Sequence, residues 1–147
     1  MKKLLSKWLL GNIAEKYTTN APFGKVFETL TEVVKDYDFN VVAVHDLKET
    51  FKKKNLPIPN DFEYRIVQIC NAEKSHRALT KMSFDMGIMM PKSIIIAQKN
   101  GQTSLRFMKM KPWMVGLMFP EINIAPMSKM VMKTITEIVK ETIKKVK

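Results

Sequence analysis

The sequence predicts an α+β fold, a mainly antiparallel sheet packed against helices in the order β-α-β-β-α-β-β-α. Three observations carry this expectation. Phe23, Val26, Phe27, Leu30, Val33, Val34 and Tyr37 recur at the i, i+3, i+4, i+7 spacing of a single helix face. The runs "SIIIAQ" and "TSLRFMKM" flank Asn100-Gly101, a dipeptide suited to a two-residue hairpin turn. From Pro126 onward, Met127, Met130, Val131, Ile135, Ile138, Thr142 and Val146 lay out another helix face. Helices interspersed with hairpin-connected strands fit a layered α+β architecture.

Residues 1–13 form a short amphipathic segment, with Leu4, Leu5, Trp8, Leu9 and Ile13 on one side and Lys3 and Lys7 near the other. Residues 14–147 form a single domain. A first short strand covers 13–19 and ends in the polar "TTN". Thr19 or Asn20 is placed to cap the following helix, with Pro22 in its first turn. "YDFN" breaks that helix, and "FNVVAVHDL" reads as a strand whose nearly continuous apolar run predicts burial.

The stretch "KETFKKKNLPIPNDF" is a connection with one helical turn before two prolines that bar regular structure. In "FEYRIVQIC", Phe62, Tyr64, Ile66, Gln68 and Cys70 share one strand face, and Arg65, Val67 and Ile69 share the other. Residues 72–84 predict a second helix that turns Ala78, Leu79 and Met82 inward. Beyond the hairpin, Pro112, Pro120 and Pro126 divide an apolar stretch into loop and short helical turns. The last helix ends in "KKVK", which complements the negative end of its dipole.

A chain of 147 residues suits one domain with its own core. Its single cysteine, Cys70, cannot form an intramolecular disulfide and requires no oxidising compartment. Lys and Arg number 25 against 14 Asp and Glu, a net charge of +11 that favours an anionic membrane surface or an acidic small molecule. Nucleic acid fits less well, because only Arg65, Arg77 and Arg106 are arginines and the aromatics do not interleave with the lysine runs. The opening apolar run is interrupted by Lys7 and no cleavage pattern follows, so neither a spanning helix nor a cleavable signal peptide is expected. A cytoplasmic location, or one peripheral to a membrane, follows. No Walker A loop, dinucleotide fingerprint, nucleophile elbow or carboxylate pair occurs, so the reading leans towards a non-enzymatic protein.

Three blocks, "FETLTEVVKDYDFNVVAVHDL", "YRIVQICNAEKSHRAL" and "MMPKSIIIAQKNGQTSLRF", carry a family likeness. Over about residues 14–146 the chain resembles the domain-of-unknown-function family numbered 302. The middle block, with Cys70-Asn71 between strand and helix, is the most specific. The family pattern there usually reads Cys-Asn-Pro, where this chain has Ala72. The third block usually reads Leu-Pro-Cys, where this chain has Met90-Pro91-Lys92. The resemblance implies a compact α+β domain, often a homodimer, with no established activity and no catalytic residues to carry over. Lys92 leaves Cys70 without the second thiol of that pattern.

Candidate functional residues fall into two groups. Cys70 and Asn71 stand at a strand-to-helix junction, where a helix dipole can lower a thiol pKa and free amides can hold an anion. The alternative reading makes Cys70 a small core residue and Asn71 a helix cap. His45 ends a buried-looking strand beside Asp46, an arrangement that acid–base chemistry or a metal could use. His76 is separated from Cys70 by more than a helical turn. The second group is apolar. Trp113, Met114, Leu117, Met118, Phe119 and Ile122 crowd one segment and, with Trp8, predict a subunit interface or a membrane contact. The chain's 12 methionines suit a core or an apolar ligand surface, and also raise haem and Cu(I) as less favoured ligands. The leading expectation is a dimeric domain that binds a small or apolar ligand or a protein partner. A peripheral membrane protein and a haem-, soft-metal- or thiol-dependent protein are the alternatives.

Overall fold

The computed structural model describes residues 1–147. The elements run α1 (Lys2–Ile13), β1 (Ala14–Thr19), α2 (Phe23–Asp36), β2 (Asn40–Asp46), α3 (Leu47–Lys53), β3 (Glu63–Cys70) and α4 (Ala72–Arg77). A π-helical turn at Ala78–Met82 and a 3₁₀ turn at Phe84–Met89 follow, then β4 (Lys92–Lys99), β5 (Gln102–Met108), α5 (Pro112–Met118) and α6 (Ala125–Val146). The expected strand order along the chain is present, and the fold is α+β.

The five strands form one antiparallel sheet in the order β1-β5-β4-β3-β2. Strands β2 to β5 are a meander, and β1 returns to close the other edge beside β5. The β4–β5 hairpin turns at Asn100 and Gly101, both at positive φ, as its dipeptide predicts. Asp61 braces that turn: its carboxylate accepts from the Gly101 amide and from Gln98.

One sheet face is covered by α2 and α6. Val26, Leu30, Val33 and Val34 of α2 and Ile135, Ile138 and Val139 of α6 meet Val67, Ile69, Ile94, Ile96, Leu105 and Phe107. Arg65 lies on the same face, its guanidinium stacked over Phe23 and Phe27 and paired with Asp46 at 3.2 Å. A smaller core forms past the ends of β3 and β4. Ala78, Met86, Val115, Phe119 and Ile124 are buried there, with Leu79, Met82, Met89, Met90, Ile122 and Met127 packed around them.

Three expectations are corrected. The cap of α2 is the Pro22 backbone carbonyl, which takes the Val26 amide, while the Thr19 hydroxyl accepts from Ala21 instead. The helix expected over 72–84 is α-helical only to Arg77. It then widens into the π turn, and Ser83 restarts the chain by capping the 3₁₀ turn at Asp85. Strand β2 is not buried: it is an edge strand with Val42 and Val44 exposed, because an apolar run records propensity and not strand order. The amphipathic segment 1–13 is helical over Lys2–Ile13, and the helix buries no residue. No helix is long and apolar enough to cross a membrane.

Ile96 is fully buried in the central strand and Val44 is exposed at the edge. Truncating Ile96 to Ala is expected to cost about 2–5 kcal/mol in urea unfolding, because the rigid core leaves a cavity behind. The same truncation at Val44 is expected to cost less than about 1 kcal/mol. Equal losses at the two positions would contradict the strand order.

Candidate functional site

The site lies where the two cores meet. A solvent-open depression there is lined mainly by apolar side chains from both cores. Phe39 and Ile69 form one wall, Val115 and Ile124 another, and Met86, Met89, Met90, Met127 and Met132 fill the sides. Unbranched thioethers repack easily, so this lining is adaptable.

The polar groups sit at the strand ends. The β3–β4 register sets Lys92 opposite Ile69, and successive strand residues face opposite ways, so Lys92 points to the side of buried Ile69. Its side chain is half-buried in the lining. The ion pairs Lys48–Glu63, Lys52–Glu49, Arg65–Asp46 and Lys109–Glu15 all leave it out, and it makes no side-chain hydrogen bond. Burial holds the Lys92 ammonium below the usual lysine range. Lys74, also in the lining, lies over the Phe39 ring at 5.9 Å.

Cys70 and Asn71 line the same pocket, and both are occupied by local structure. The Asn71 Oδ1 accepts the Lys74 amide at 2.9 Å, and its Nδ2 donates to the Asp38 carbonyl at 2.9 Å. It therefore caps α4 and ties it to the end of α2. Ser75 Oγ donates to the Asn71 carbonyl at 2.8 Å and lies 2.8 Å from Cys70 Sγ. With the hydroxyl proton committed, the thiol is the donor in that second contact. Helix α4 has only six residues, and Asn71 already takes one of its N-terminal amides, that of Lys74.

His45 is not brought to Cys70. It pairs with Ile66 across the sheet, whereas Cys70 pairs with Asn40 at the far end of β2. Its ring bonds Gln68 at 3.2 Å, and Asp46 turns instead to Arg65 and the Glu49 amide. His76 is exposed, and no histidine lines the pocket. No cluster of three or more His, Cys, Asp and Glu side chains is present.

The apolar group divides. Trp8, Trp113, Leu117 and Met118 are exposed and Met114 is half-buried. Phe119, at 4% exposure, belongs to the smaller core, which removes it from the set available to a partner, and half-buried Ile122 packs against that core. They anchor the segment because Val115 and Phe119 fall four apart on the helix side opposite Trp113 and Leu117.

In the sequence Lys92 stands out only as the residue that replaces a family cysteine, not as a binding group. Its signal was a lone charge in the run "MMPKSIII".

The Lys92 amine makes stability depend on pH. Its folded pKa lies below the unfolded value, so the native state bears the full cost of burying the charge at neutral pH. That cost fades as pH rises past the folded pKa, because the native amine sheds its proton before the unfolded one does. Lys92→Met is therefore expected to raise the urea midpoint at neutral pH. The advantage over the parent should shrink as pH approaches the ordinary lysine value of 10.5. A gap that widens with pH would contradict this environment.

Comparisons with known proteins place the fold. The family model described as "Domain of unknown function DUF302" matches residues 15–143. The crystal structure of an uncharacterized conserved DUF302 protein from Bacillus stearothermophilus aligns with a TM-score of 0.69 at 20% identity, covering 91% of this chain and 98% of that one. At that identity the likeness speaks to the fold. No curated protein matches the sequence.

Proposed function

For this chain, which belongs to the DUF302 family of domains of unknown function, we propose a non-enzymatic role: binding a small single-chain amphiphile that carries an anionic head. The carrying observation is the partnerless Lys92 amine in a mainly apolar, methionine-lined pocket. A half-buried cation without a counterion is unfavourable, and a ligand carboxylate or phosphate would supply the missing charge. An alkyl tail would take the space among Met86, Met89, Met127 and Met132.

Calorimetric titration with decanoate tests this reading. Saturable one-to-one binding is expected, weakened roughly tenfold or more in Lys92→Met through loss of a charge-assisted hydrogen bond. Decanol, which lacks the carboxylate, should bind both proteins alike. Decanoate binding that is absent, or indifferent to Lys92, sinks the proposal.

A homodimer is part of the same reading, supported by the other sheet face. Ile66 and Ile95 stand opposite each other on the side turned away from α2 and α6, and both are only half-buried. A second copy would cover them. Sedimentation velocity is expected to give a dimer that Ile66→Lys with Ile95→Lys converts to monomer. A monomer at every concentration of the parent protein removes the dimer.

A further inference from the structure

We infer that α1 and α5 together form a docking face for an anionic phospholipid surface, independent of the pocket's ligand. The two helices leave the sheet from one corner. Ala14 pairs with Met108, the Lys109 amide donates to the Ile13 carbonyl at 2.7 Å, and Lys109 Nζ reaches Glu15 at 3.2 Å. The C-terminal end of α1 is thereby fastened three residues ahead of the start of α5.

Around this corner lies a concentration of uncovered apolar surface. On α1, Leu4, Leu5, Trp8, Leu9 and Leu10 are all exposed, and no residue of the helix is buried. On α5, Trp113 and Leu117 share the outer face, and exposed Met108 lies at the corner between the helices. The chain has 2 tryptophans, and both are here, at 63% and 61% exposure. Indole rings beside lysines favour the headgroup layer of a bilayer, where one end of the side chain stays wet. Twelve residues of α1 extend about 18 Å, too short to span a hydrocarbon core of about 30 Å, so the helix would lie along the surface.

Charge chooses the occupant. Lys2, Lys3 and Lys7 on α1 and Lys109 and Lys111 before α5 are accompanied by no acidic residue within segments 1–14 or 108–120. The nearest carboxylate, Glu15, is committed to Lys109. A two-fold contact between copies would set this cationic patch against itself, which like-charge repulsion opposes. An anionic lipid surface is complementary to it, and neither helix alone is required to hold the chain there.

The two tryptophans make the face directly readable. Mixed vesicles of phosphatidylglycerol and phosphatidylcholine are expected to pull the protein down on sedimentation. They should also shift the emission of both single-tryptophan proteins, Trp8→Phe and Trp113→Phe, to the blue. Vesicles of phosphatidylcholine alone, or high salt, should abolish most of this. Reversing three exposed lysines, with Lys3→Glu, Lys7→Glu and Lys111→Glu, should weaken partitioning about a hundredfold, each near-surface lysine being worth about fivefold. Circular dichroism of that variant should match the parent. Three outcomes overturn the inference: no association with the anionic vesicles, binding equal on neutral ones, or a blue shift that needs no lipid and follows protein concentration. The last would assign the face to a second copy.

Discussion

The antiparallel register that sets Lys92 opposite Ile69 is the constraint on which the candidate site depends. Side chains alternate along a strand, so a slip of one residue would turn Lys92 away from the pocket and bring its neighbour in. Two features hold the register at either end. The Asn100-Gly101 turn, braced by Asp61, fixes β4 against β5. The pairs Val67–Ile94 and Arg65–Ile96 lie on the face that α2 and α6 cover, and with Val67, Ile94 and Ile96 buried there a slip would expose the core. The hydrophobic effect thus positions a charged group by protecting its apolar neighbours.

The pocket exists because two cores of different size share a border. The large one follows the sheet, and the small one collects chain that leaves it: the π turn, the 3₁₀ turn, α5 and the start of α6. Methionine is concentrated along that border, where the irregular backbone offers no repeating packing geometry. Its flexibility fills such gaps without fixing them, which is a reason a guest could enter. Asn71 and Ser75 tie down one edge of the pocket, and Asn71 does so with the amide group that the sequence offered to a ligand.

Much of the fold was legible because its signals are local. The period of α2, the Asn-Gly turn and the prolines of 112–126 each act over a few residues, and each produced the expected element. The site was legible only in part. Cys70 and Asn71 were found from the strand-to-helix junction, yet their partners Ser75 and Asp38 depend on how α4 folds back. His45 misled because an apolar strand looks alike at the centre and at the edge of a sheet. Lys92 was visible as a departure from a family pattern, but the pocket it lines is shared by residues as far apart in sequence as Ile69, Val115 and Met132, which no local window contains.

The same separation between local and long-range information explains the two apolar faces of α5. Four-residue spacing places Val115 and Phe119 together and Trp113 and Leu117 together, but spacing alone does not say which pair turns inward. The smaller core decides it, since Ala78, Met86 and Ile124 offer an apolar wall to Val115 and Phe119. Once that pair is buried, Trp113 and Leu117 must face outward, and the helix becomes a partition. One side of it lines the pocket through Val115, and the other stands exposed beside Lys111. A group that moves α5 from outside therefore moves a wall of the pocket.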